Sequence, residues 1–201
     1  MVNYQYRGEE TIIEDVRLTD LENAAYLPKG RCIKGMLAGN DNWRSPEAHF
    51  RGKLNQPTDM FAFGTVVSTS SHFRCNPNDI SAYMLFSGVL SFGPDDDFRL
   101  HQGWSALPAL IRLQRQVSYF GDQQGINGLL RYITDDETNG QVLRMLWEER
   151  TDEHIPYKPF AEWPDVVDSA FRELIKGVMN LDPAKRLTAR DVLEHPWFAD
   201  V

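Results

Sequence analysis

Two aspartates stand where their neighbours would hold a carboxylate in place. Asp20 ends the β-rich run VRLTD, and Asp59 opens the apolar run DMFAFGTVV. Taken alone, a carboxylate at a strand end reads as a surface acid. An aspartate leading an apolar helix can equally be an N-cap, favoured by the helix dipole. Other reactive side chains are dispersed. His49, His72, His101, His154 and His195 lack metal-ligand spacing, and the acidic run Asp95, Asp96, Asp97 reads as a solvated turn. Cys32 and Cys75 are too few for a disulfide scaffold, which favours a reducing compartment.

The elements that would position these groups are mainly helical. Residues 12–21, IIEDVRLTDL, mix β-branched and charged side chains and predict a short hairpin or a strand ending at Asp20. Residues 22–57 carry Gly30, Gly35, Gly39 and Gly52 with Pro28, Pro46 and Pro57, and predict a long ordered loop with short helical pieces. From Leu107 the pattern is helical, with Leu110, Leu113 and Val117 on one face and Leu143, Leu146 and Trp147 on another. Val167, Phe171, Leu174, Val178 and Leu181 predict the best-formed helix, DVVDSAFRELIKGVMNL, entered at Asp165 after Pro164. Thr188 with Asp191 predicts a capping-box start for the last helix. Trp147, Tyr157, Phe160 and Trp163 read as local core.

Four segments, in order, resemble the signature set of the eukaryotic-type protein kinases. VRLTDLENA (residues 16–24) resembles the strand and metal-binding tripeptide VKLTDFGLA, which implies that Asp20 is a Mg2+ ligand beside the ATP phosphates. Leu21 and Glu22 depart from the Phe and Gly of that pattern, and Glu restricts a backbone that Gly leaves free. GNDNWRSPEA (residues 39–48) resembles the end of an activation segment, with Ser45, Pro46 and Glu47 for Ala-Pro-Glu and Asn40 where Thr is usual. Pro46 keeps Ser45 extended, and Glu47 is expected to turn inward toward a fixed cation. KLNQPTDMFAFGTVV (residues 53–67) resembles YSxKxDVWSFGVVL; by that resemblance Asp59 accepts backbone N–H groups of a catalytic loop and Gly64 permits close packing. MNLDPAKRLTARDVLEHPWF (residues 179–198) resembles LxxDPxxRPTAxELLxHPWF, which implies that the planar guanidinium of Arg186 pairs with Glu47.

The implied fold is mainly α, a kinase C-lobe helical bundle with a short β-hairpin at the N-terminus, over residues 1–198. Residues 1–22 would hold the hairpin and metal-binding motif, 23–47 the activation segment and 59–198 a helical subdomain. The 201 residues contain no Gly-rich phosphate loop, no strand lysine of the V-A-I-K kind and no HRDxxxxN catalytic loop. MVNYQYRGEE resembles the strand that follows that loop, so the resemblance puts the start of the chain just past the catalytic Asn. No catalytic residue is assigned, and ATP and Mg2+ are implied for the complete protein. Removing residues 68–82 would join GTVV to YMLFSG, close to the family's GVVLYMLLTG. A retained intron and a surface loop after a shortened helix are the two readings of that insertion. Residues 104–163 match no motif.

A net charge of −8 and a pI near 5.1 argue against a general nucleic-acid binder. Residues 83–92 are too short and too broken by Ser and Gly to cross a bilayer, and the opening lacks signal-peptide features. The expected compartment is cytoplasmic or nuclear, with a protein substrate or partner protein. The expected function is that of a fragment of a protein serine/threonine kinase, inactive by itself. The alternative is a pseudokinase-like interaction module, and dual specificity stays open.

Overall fold

The computed structural model describes residues 2–7, 10–70, 92–133, 136–164 and 166–199. The chain divides into two units, residues 1–31 and 32–201.

In the first unit β1 (Val2–Arg7) pairs antiparallel with β2 (Glu10–Val16), from Val2 opposite Val16 to Arg7 opposite Glu10, with a register shift between Asn3 and Tyr4. The second strand ends at Val16 and not at Asp20 as the sequence suggested. Asp20 instead adopts φ 64° and ψ 43° at the head of a 3-10 turn, Leu21–Asn23. Asp is one of the few residues whose short polar side chain tolerates this left-handed conformation. Among the described residues of this unit none is buried. A two-stranded hairpin without a covered face is marginally stable alone.

The second unit is helical. Its elements are α1 (Pro46–His49), α2 (Gln56–Ser70), α3 (Asp96–Gly103), α4 (Pro108–Phe120), α5 (Gln123–Ile133), α6 (Glu137–Glu149), α7 (Ser169–Val178) and α8 (Ala189–Leu193). The long loop before α2 is ordered by an antiparallel bridge in which Ile33 and Leu54 exchange backbone bonds of 2.9 and 2.8 Å. α2 packs on α7, while α4 and α5 both pack on α6. Phe61, Leu113, Val117, Leu129, Leu143, Leu174, Ile175 and Val178 meet in one core. A mainly helical chain with a small N-terminal hairpin is therefore the observed fold class.

One boundary differs from the periodic pattern. α7 starts at Ser169, where the Asp168 carboxylate accepts the Phe171 N–H at 3.0 Å. Before that cap the backbone is not helical, so Val167 is 77% exposed and Val166 enters the core instead. Asp165 lies outside the described residues. α8 opens on a capping box, Thr188 N–H to Asp191 at 2.8 Å and Asp191 N–H back to Thr188. α2 runs to Ser70; the rest of the 68–82 insertion and the run YMLFSGVL lie outside the described residues.

Candidate functional site

The four-residue α1 begins at Pro46, whose ring presets the helical φ, with Ser45 extended before it at ψ 156°. Ser45, Pro46 and Glu47 are all buried, with the Ser45 side chain beside the Glu47 carboxylate. Glu47 meets Arg186 in two parallel bonds, Nη1 to Oε1 at 2.6 Å and Nη2 to Oε2 at 2.8 Å, with neither side chain exposed. Arg186 also donates Nε to Asn180 O at 2.7 Å and Nη1 to Pro57 O at 2.9 Å, and lies 4.9 Å over the Phe61 ring. The Thr58 hydroxyl donates to Glu47 at 3.0 Å. Burial by itself would raise the Glu47 carboxyl; the charge and donors of Arg186 outweigh it and hold the group below its ordinary range. This pair joins the loop before α2 to the turn before α8.

Asp59 sits in the first turn of α2 and not at its N-cap, because the helix begins three residues earlier at Gln56. The residue is exposed, and what desolvation its carboxyl has raises it from its ordinary value. Gly64, one turn and a half further, faces α7 so closely that a Cβ would lie 2.6 Å from Val178 and 2.8 Å from Met179. Asp20 belongs to the first unit and is exposed. Among the described residues no three His, Cys, Asp or Glu side chains gather where they could hold a metal ion. Asp20 is thus part of no such group.

Some of the strongest polar structure escaped the motif reading. Asp95 and Asp97 do not form a solvated turn. Both bind Arg115, a side chain 2% exposed, at 2.7 and 2.8 Å, and the Tyr157 hydroxyl donates to Asp97 at 2.5 Å. Burial and the Asp97 bond push Tyr157 up to about 12. Arg44 closes the loop before α1 through the carbonyls of Ala38 and Gly39, at 3.0 and 2.7 Å, and through Asp41. Gln116 of α4 donates to the Arg44 carbonyl at 2.9 Å. His49, behind Glu47 on α1, is driven down to about 4 by burial and by the neighbouring charges of Arg44 and Arg112. Trp147, Phe160 and Trp163 pack into or against the core, while Tyr157 serves the Arg115 network.

No family model matches the chain. Curated proteins do. A 64-residue stretch, 32% of the chain, is 42% identical to the probable serine/threonine-protein kinase pXi of Dictyostelium discoideum. A 39-residue stretch, 19% of the chain, is 49% identical to calcium-dependent protein kinase 20 of Oryza sativa subsp. japonica. Over 195 residues, 96% of the chain, identity to the dual specificity protein kinase CLK1 of Homo sapiens is 25%. This chain is related to the protein kinases. The matches cover 7% of each of the first two relatives and 34% of the third, so this kinase-related chain corresponds to a minor part of each. The described residues include no helix long and apolar enough to cross a membrane.

Proposed function

We propose that this chain is the C-terminal lobe of a protein serine/threonine kinase whose complete product transfers the γ-phosphoryl group of ATP to protein hydroxyls. The observation that carries the reading is the buried Glu47–Arg186 pair, because it ties two otherwise separate kinase-like motifs together with two bonds between fully desolvated groups. In this reading residues 23–47 are the activation segment and 59–198 the helical subdomain. Asp20 supplies one carboxylate to the Mg2+ that accompanies the nucleotide, and its left-handed backbone supports a held position. Asp59, exposed in the first turn of α2, receives backbone N–H groups of a catalytic loop. Phosphoryl transfer needs nucleotide, metal and base positioned together. These 201 residues hold neither HRDxxxxN nor a Gly-rich loop, so they transfer no phosphate by themselves.

The test is transfer of label from γ-labelled ATP to myelin basic protein by the complete gene product and by the 201-residue chain. The complete product is expected to be active, to lose at least about a hundredfold on Asp20→Ala, and the short chain to be silent. Undiminished activity of Asp20→Ala, or transfer by the short chain, overturns the reading. Glu22 in place of Gly and Asn40 in place of Thr favour the second reading, a pseudokinase-like module that binds a partner protein. A complete product that is folded yet binds no ATP supports that one.

A further inference from the structure

We infer that the corner between α3 and α4 pairs with a second copy of this chain, the indole of Trp104 in each copy entering the recess between α3, α4 and α6 of the other. The corner turns at Ser105, whose φ of 70° is uncommon for a residue with a side chain. Backbone bonds close it, from Ser105 N–H to Gln102 O at 2.9 Å and from Ala106 N–H to His101 O at 3.0 Å. The turn sends neighbouring side chains in opposite directions. Trp104 and Leu107 stand out, 61% and 64% exposed, with Leu100 at 50% one helical turn before Trp104. Ala106 turns in and lines a recess of about 180 Å³, room for one large side chain, with Leu110, Met145, Leu146 and Ile155.

A protruding apolar group and an apolar recess side by side on one face make that face complementary to itself. About a two-fold axis between them, the protrusion of each copy meets the recess of the other, and the two contacts are identical. Trp104 is held ready for this, its ring edge-on to His101, a wall of the recess, at 5.2 Å. The polar groups match as well. The indole carries one donor, its N–H, and the mouth of the recess carries an exposed acceptor, the Glu149 carboxylate. The rim holds both signs, Arg144 before Met145 and Glu148 and Glu149 after it, which suits neither a basic nor an acidic partner. Exposed apolar side chains grouped in this way mark a contact surface, and a second copy brings the fitting side chain with it. The pairing is independent of phosphoryl transfer.

The experiment is sedimentation of the 201-residue chain over about a hundredfold range of concentration. A reversible monomer–dimer equilibrium is expected, tightened by added salt because two copies of net charge −8 repel each other. Trp104→Glu and Met145→Glu, both at exposed side chains, are each expected to weaken it at least about tenfold. Val167→Glu, which adds the same charge at an exposed position before α7, changes it by less than about twofold. The decisive arm mixes the two weakened variants. Trp104→Glu keeps the recess and Met145→Glu keeps the protrusion, so a mixed pair retains one of the two contacts and associates more tightly than either variant alone. A monomer at every concentration overturns the inference and leaves the recess to a partner protein. An equal loss from Val167→Glu, or a mixture no tighter than its components, overturns it as well, since an unspecific apolar surface behaves in that way.

Discussion

Truncating Glu47 leaves the Arg186 guanidinium buried with only the carbonyls of Asn180 and Pro57 to receive its protons. Breaking one side of a buried pair strands a charge, and the expected loss for Glu47→Ala is about 3–5 kcal/mol in a urea titration. His49 makes a second residue-scale prediction. Its folded pKa, about 4, lies below the ordinary 6.5, with Arg44 and Arg112 repelling and Asp41 and Glu47 attracting a proton. The unfolded chain therefore takes up the proton first, and stability falls as pH drops from 6.5 toward 4. The contribution is on the order of 3 kcal/mol across that window. Glu47, whose pKa is lowered, adds its own loss as pH falls from its ordinary value of 4.5 through its folded value. His49→Gln keeps the Glu47 loss and removes the first, so the two proteins should diverge between pH 6.5 and 4 in denaturation midpoints.

At the scale of elements the contact of α2 with α7 is the most sensitive. A methyl group on Gly64 would press into Val178, a β-branched side chain with a stiff rotamer, and into Met179, which can bend away. Gly64→Ala is expected to cost about 1–3 kcal/mol by forcing the helices apart, read as a lower thermal midpoint with the helical circular dichroism retained. Helix existence was legible here from periodicity, as for Leu113 and Val117 on α4 or Leu174 and Val178 on α7. The start of α7 was not, because Val167 matches the helical step numerically while the chain is still non-helical at that point. The deciding group is the Asp168 carboxylate, whose bond to the Phe171 N–H sets the first turn.

For the whole molecule the unequal burial of the two units has a direct consequence. None of the described side chains of β1 and β2 is buried, whereas α4 and α7 contribute side chains to the core. Hydrogen exchange should therefore label residues 2–7 and 10–16 well before residues 110–120 and 171–178, since local opening needs little burial to be undone. Equal protection in both would contradict it. The sequence by itself determined the kinase relationship, the mainly helical class and the motifs bearing Glu47, Asp59, Gly64 and Arg186, because these depend on residue order and local spacing. Only the tertiary structure decided that Asp95 and Asp97 clasp Arg115, and that Arg44 locks the loop before α1. Each of those rests on which polar groups lose water together across distant parts of the chain, and desolvation of that kind leaves no periodic or spaced signal in the sequence.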